Sequence, residues 1–185
     1  MFRFTKLGIP DIILIETDKF NDDRGCFFEH YKESAFKANG ILDLFEQDSF
    51  SNSKKGVIRG LHYQKEPMGQ GKLVSALSGK IFDVAVDLRK GSPHFGKWVS
   101  AELSSENCRS LWVPVGFAHG FAALEDDTVV LYKTTHEYSK EHEGGVIWND
   151  PDIGIKWPIR NPTVSEKDGK HQRLRDSKSN FVYKR

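Results

Sequence analysis

The chain has 185 residues, 38% of them hydrophobic and 12% aromatic, which fits one domain around one sizeable core. Lys+Arg number 27 against 26 Asp+Glu, a net charge of +1, which argues against a generic nucleic-acid or membrane-surface binder, and the ordinary apolar fraction argues against wholesale disorder. No apolar run approaches the roughly 20 residues of a membrane helix, the opening Met1 to Pro10 lacks the apolar core of a signal peptide, and Cys26 and Cys108 form no CxxC pair, so a reducing cytoplasm is the expected compartment. Short strands are predicted in chain order at residues 12–16, 74–77, 81–88, 98–103, 110–113 and 128–135. Within 81–88, Val84, Val86 and Leu88 share one face while Asp83, Ala85 and Asp87 share the other, the period-2 pattern of a strand with unlike faces. Turn signals separate them: Ser78-Gly79, Gly91-Ser92-Pro93, Pro114-Val115-Gly116 and Gly144-Gly145. The best helix candidate is residues 33–39, closed by Gly40. The last 20 or so residues are basic and polar, around Lys170, Arg173, Arg175, Lys178, Lys184 and Arg185, and read as a solvated tail or a terminal helix. Strands at this spacing predict an antiparallel sandwich or barrel.

Two segments carry chemistry. Gly56-Val-Ile-Arg59-Gly60-Leu-His62-Tyr63-Gln64 is followed by Lys72 and Gly79, and Pro114-Val-Gly116-Phe-Ala-His119-Gly120-Phe121 comes later. Their spacings resemble the two motifs of the cupin superfamily, which implies an all-β, double-sheet antiparallel jelly roll with a few short helices. The departures matter. Metal-binding cupins use three histidines and a glutamate, but here Gln64 holds a histidine position and Lys72 the glutamate position. A protonated ammonium has no lone pair to give, and an amide oxygen is a poor ligand for a transition metal. His62 and His119 alone make a thin ligand set. The sequence therefore keeps the barrel and loses the metal, and no cofactor is expected.

Histidine titrates near neutrality and suits general acid–base work. Arginine and lysine suit phosphate or a developing oxyanion. Tyr132, with an unperturbed pKa of about 10, stays protonated at neutral pH and is a candidate proton donor. This set matches proton abstraction next to a carbonyl, with the enolate held by cations. The remaining histidines, His30, His94, His136, His142 and His171, read as satisfied polar groups.

The resemblance is closer still to the dTDP-4-dehydrorhamnose 3,5-epimerase family, over about residues 8–168. Four stretches carry it: Asp23-Arg24-Gly25-Cys26-Phe27-Phe28-Glu29; Gln47-Asp48 with the Arg59–Gln64 block; the Pro114–Phe121 segment; and Tyr138 with Glu143-Gly-Gly-Val-Ile-Trp148-Asn-Asp150-Pro151. The resemblance implies that His62 removes the protons at C3 and C5, flanking the C4 ketone. Asp168 orients and charges that histidine, Tyr132 returns a proton from the opposite face, and Lys72 stabilises the enolate. It implies substrate contacts for Arg24, Glu29, Gln47, Arg59, His119 and Tyr138, the last stacking on thymine. Glu143 and Lys167 are weaker carry-overs. The family's N-terminal strands are exchanged between subunits, so a homodimer is expected in which Arg24 and Glu29 serve the partner's site. The expected partner is a dTDP-sugar, with neither nucleic acid nor membrane.

Ser49 stands where the family commonly has asparagine. Related members invert one carbon or isomerise the ketone with much the same residues. A metal-dependent cupin and a catalytically silent sugar-nucleotide binder are the other classes; bound metal in the purified protein speaks for the first, and an intact His62, Asp168 and Tyr132 set speaks against the second.

Overall fold

The computed structural model describes residues 1–184. In chain order the elements are β1 Phe2–Lys6, β2 Ile13–Thr17, β3 Phe20–Asp22, β4 Gly25–Phe27, α1 Glu33–Ala38, β5 Gln47–Ser53, β6 Val57–Gln64, β7 Lys72–Ser78, β8 Lys80–Asp87, β9 Trp98–Ser104, β10 Arg109–Val113, β11 Phe117–Ala123, β12 Thr128–Thr134, β13 Glu143–Gly145, β14 Thr163–Val164 and α2 Glu166–Gly169, followed by a 3₁₀ turn at Leu174–Asp176. Six strands form one sheet in the order β1-β2-β10-β7-β12-β5. A second sheet runs β13-β6-β11-β8-β9, with β14 also on β6. Pairing is antiparallel except for β14 on β6. This is the expected all-β double-sheet jelly roll. β3 and β4 form a separate hairpin whose residues are all exposed.

Three apolar clusters hold the layers together. The first lies between the sheets: Val74 and Ala76 of β7, Leu111 of β10 and Val130 of β12 meet Ile81 and Ala85 of β8 and Phe117 and Phe121 of β11. The second covers the outer face of the second sheet, where Leu61, Tyr63, Val84, Val86 and Ala118 pack against Ile153, Leu174 and Phe181. The third covers the outer face of the first sheet, where Ile13, Ile15, Leu73 and Trp112 pack against Phe36 of α1 and Ile41. Burying a side chain such as Phe36 stabilises by about 1.5–3 kcal/mol, and three edge-on contacts, with Phe2, Phe4 and Tyr31, fix its orientation, Tyr31 in turn meeting Phe45 edge-on. The apolar face of β8 thus points outward, and the face bearing Asp83 lines the barrel.

The basic C-terminal segment is neither a solvated tail nor a terminal helix. Leu174 and Phe181 are buried. Lys90 N–H donates to Phe181 O at 3.0 Å and Tyr183 N–H to Lys90 O at 2.9 Å. Asn180 exchanges hydrogen bonds with the backbone of Glu66 at 3.0 and 2.9 Å, and the Ser177 hydroxyl bonds the Tyr63 hydroxyl at 3.0 Å. The charges face out while isolated apolar residues anchor the segment across the back of β6.

Candidate active site

The site begins with an irregularity in β6. Its pairing with β11 jumps from His119↔His62 to Phe121↔Arg59. The extra residue on β6 is a bulge, and a bulge re-aims side chains that simple alternation would separate. Arg59 and His62, an odd spacing apart, therefore both face the barrel. Gly60 is required at this point: a Cβ there would lie 2.6 Å from Gly120 Cα.

His62 Nε2 bonds Asp168 Oδ1 at 2.8 Å. An ionised carboxylate can only accept, so the His62 proton sits on Nε2 and the lone pair stays on Nδ1. Asp168 occupies α2, whose N-cap Ser165 hydroxyl accepts from Asp168 N–H at 3.1 Å. Gly60 N–H donates to Asp168 Oδ2 at 3.1 Å. Burial pushes the Asp168 pKa up, but the His62 hydrogen bond and charge and the Gly60 N–H outweigh it and hold the carboxyl below its usual value. The side chain of His62 remains 34% exposed while that of Asp168 is 5% exposed, so the imidazole reaches the cavity and its carboxylate partner does not.

His171, read from sequence as a satisfied polar group, is not one. Its Nε2 is buried without a hydrogen-bond partner among the described residues and lies 3.7 Å from Asp168 Oδ1. The ring meets His62 edge-on at 5.8 Å and rests on Gly145, where a Cβ would fall 2.3 Å from Nε2. The preference for glycine at 145 follows directly.

A second histidine–carboxylate pair lies beside the first. His119 Nε2 bonds Asp83 Oδ1 at 2.7 Å, and both residues are buried. Asp83 Oδ2 has no hydrogen-bond partner among the described residues. Burial raises the Asp83 pKa against the pull of His119 and Lys72. Burial also lowers the Lys72 pKa to about 8, with the charges of Asp83 and Glu143 opposing the fall. Tyr132 on β12 packs its ring 6.2 Å from that of His119 and bonds the Ser51 hydroxyl at 2.9 Å. Burial raises its pKa, so it stays a phenol at neutral pH. Ser53 accepts from Arg59 Nε at 3.0 Å. Asp83, Ser51 and Ser53 were not read as site residues. The signal for Asp83 was an acid on the inward face of an apolar strand, whereas serines on β5 gave none.

At the rim, Gln47 Oε1 accepts from Tyr138 N–H at 2.8 Å and Gln47 Nε2 donates to Ser49 at 2.9 Å, so Ser49 keeps the side chain of Gln47 engaged. Tyr138 donates to Glu143 Oε2 at 3.1 Å, and Lys167 pairs with Glu143 Oε1. Gln47, Ser49, Gln70, Lys72, Tyr132 and Tyr138 line an open cleft into the barrel. Arg24 and Glu29 are not brought to this cluster. Arg24 sits on the exposed β3–β4 hairpin, forked onto Asp22 at 2.6 and 3.1 Å, and Glu29 is exposed near Lys32.

The residues at the cupin metal positions do not fit a metal. Gln64 spends its amide on Met68 O and Glu137 O, at 2.8 and 3.2 Å, and its Oε1 accepts from Ser139 N–H at 2.6 Å. Lys72 places an amine where the glutamate ligand belongs.

Residues 6–176 match the family model described as dTDP-4-dehydrorhamnose 3,5-epimerase. A protein of that name from Pseudomonas aeruginosa is 52% identical over 177 residues, covering 95% of this chain and 97% of the relative. The crystal structure of a dTDP-6-deoxy-D-glucose-3,5-epimerase from Legionella pneumophila, in complex with dTDP-4-keto-L-rhamnose, superposes with a TM-score of 0.91 at 44% identity, covering 95% of this chain and 94% of that one. A 3'-monoepimerase from Streptomyces bikiniensis, in complex with dTDP-quinovose, superposes with a TM-score of 0.85 at 32% identity, covering 91% and 86%. With its jelly roll, its histidine–carboxylate pair and a tyrosine on the facing wall, the chain belongs to the dTDP-4-dehydrorhamnose 3,5-epimerase family.

Proposed function

We propose that the chain is an isomerase of dTDP-L-rhamnose synthesis, inverting C3 and C5 of dTDP-4-dehydro-6-deoxy-D-glucose to give dTDP-4-dehydro-L-rhamnose. One observation carries the reading. The two proton-transfer groups come from facing sheets, His62 from β6 and Tyr132 from β12. A sugar ring between them has a base on one face and a proton donor on the other, as inversion requires; a single group on one face only exchanges the hydrogen.

In the forward direction His62 Nδ1 takes the proton next to the C4 ketone, and Asp168 stabilises the imidazolium that results. The enolate oxygen gains negative charge and Lys72, as an ammonium, faces it. Tyr132 delivers a proton to the opposite face and is reprotonated from solvent. His62 then returns its own proton to solvent, and the cycle repeats at the second carbon. Arg59 and His119 hold the pyrophosphate or sugar, and Tyr138 offers a ring to thymine. No cofactor takes part. The exposed Phe20 and Phe27 of the β3–β4 hairpin, 60% and 68% exposed, support a homodimer in which Arg24 and Glu29 reach the partner's site. The chain acts as a single cupin-like domain. Among the described residues no helix is long and apolar enough to cross a membrane. Both cysteines are free thiols, as a reducing cytoplasm keeps them.

The likeness to a monoepimerase sets the competing reading, inversion of one carbon. Incubation with the substrate in D₂O, read by NMR, separates them. Deuterium at both C3 and C5 with rhamno-configured product is expected; deuterium at one carbon would establish the narrower enzyme. Tyr132→Phe is expected to keep His62-driven exchange and lose inversion.

A further inference from the structure

One polar atom near the base is left over by the proposed chemistry, the buried and unpartnered Nε2 of His171. A buried polar atom with no partner calls for a physical reason. It faces two other donors. His62 Nε2 is 2.8 Å and His171 Nε2 is 3.7 Å from Asp168 Oδ1, and the three atoms lie within 4.8 Å of one another. Tetrahedral ligands on zinc, with bonds of about 2.0–2.2 Å, stand roughly 3.3–3.6 Å apart, a value these separations bracket. Two imidazoles and a carboxylate are the donor set that borderline cations of this class prefer. A cleft lined by Tyr63, Glu143, Gly144, Gly145, Lys170 and His171 opens onto the ring of His171. Lys65, Lys170 and Lys178 also line it, and of these Lys170 pairs with Glu166.

We propose that His62, Asp168 and His171 form an inhibitory site for a divalent cation of the zinc class. Inhibition follows from the tautomer. In the resting enzyme the His62 proton is on Nε2, hydrogen-bonded to Asp168. A cation at Nε2 displaces that proton, which moves through solvent to Nδ1. The imidazole stays neutral, so no net proton is gained or lost. Nδ1 now carries a hydrogen and has no lone pair, and the face turned to the sugar can no longer accept a proton. The cation blocks turnover from behind the base without occupying the nucleotide site. This kinetic consequence rests on the reading of His62 as the base; the binding itself does not.

The test uses the full, chelator-stripped chain titrated with Co²⁺ and Zn²⁺. Expected are one Co²⁺ per chain with a visible ligand-field band, Zn²⁺ inhibition reversed by chelator, and unchanged dTDP binding. In His171→Phe, which keeps the ring volume, the band disappears and the Zn²⁺ concentration for half-inhibition rises by about 10- to 100-fold, each rate being taken relative to the same variant without metal. His171→Cys, which restores a donor, recovers tight binding. Equal inhibition in wild type and His171→Phe, or Co²⁺ binding whose band survives in His171→Phe, overturns the site, as does failure of Co²⁺ to bind the wild type. A chain that binds Co²⁺ through His171 but has no epimerase activity leaves the site standing and sinks the functional reading instead.

Discussion

Two histidine–carboxylate pairs stand side by side on neighbouring strands, with His119 directly opposite His62. Their lengths are nearly equal, 2.7 Å for His119–Asp83 and 2.8 Å for His62–Asp168. Their settings are not. Asp168 is met by His62, by a backbone N–H and by a helix cap, and its pKa falls; Asp83 keeps one oxygen unpartnered and its pKa rises. The lesson is that the bond between the partners does not define the pair's duty. What surrounds the carboxylate does: Asp168 is a committed anion paired with an accessible imidazole, whereas Asp83 is a buried charge whose surroundings include Lys72 and His119.

Changes at the first pair should show in turnover. His62→Asn is expected to lower kcat by about 10²–10⁴-fold while dTDP affinity, measured by calorimetry, changes little. Asp168→Asn should fall in the same direction but less far, because the imidazole survives without its oriented charge. Comparable loss in His119→Asn, appearing in kcat with substrate affinity intact, would give the two pairs the same duty.

Changes at the second pair should show in stability and in pH. Asp83→Ala leaves His119 and Lys72 without their shared counter-charge; breaking a buried pair costs about 3–5 kcal/mol, readable as a lower denaturant midpoint. Asp83→Asn is milder, and its signature is the alkaline limb. Lys72 is an ammonium below about pH 8 and loses its proton above it, so kcat should fall as pH rises through about 8. The charge of Asp83 raises the Lys72 pKa, so Asp83→Asn moves that limb to lower pH.

Acid stability separates the pairs by sign. The Asp168 pKa is lower folded than unfolded, so its contribution is present above the ordinary carboxylate value and is lost as pH falls through the folded one. The Asp83 pKa is raised, so the folded state binds that proton more readily and acid favours folding through this group. Asp168→Asn should flatten the acid-side loss of stability, and Asp83→Asn should steepen it. The smallest effect expected is from Ser51→Ala, about 0.5–1.5 kcal/mol for one hydrogen bond, with inversion slowed rather than abolished.

The strands with unlike faces were readable from sequence because alternation survives in β8, β9 and β12. β11 was not, since FAHGFAA is buried along its whole length and both faces look alike. In β6 the bulge breaks the period, so alternation alone puts Arg59 and His62 on opposite sides. The C-terminal segment misled because Leu174 and Phe181 are single apolar residues among charges and give no periodicity. His62, Tyr132, Lys72 and Asp168, the residues proposed for proton transfer, stood out through motif spacing and family resemblance. Asp83 and His171 were not, because their significance lies in partners distant in sequence and, for His171, in a partner that is missing. The reading of β8 was correct in its division of faces; only packing could say which face lines the barrel.

The segment across the back of β6 bears on how inactive variants are interpreted. Ser177 holds the hydroxyl of Tyr63, and Phe181 lies 5.7 Å from its ring, directly behind the residue that follows His62. A lesion at 177–181 removes support from the reverse side of the strand that carries His62, while every side chain facing into the barrel is chemically intact. A screen that scores turnover alone will assign such lesions to the pocket. Paired with a measure of folding, the same screen would map a back wall whose role is mechanical.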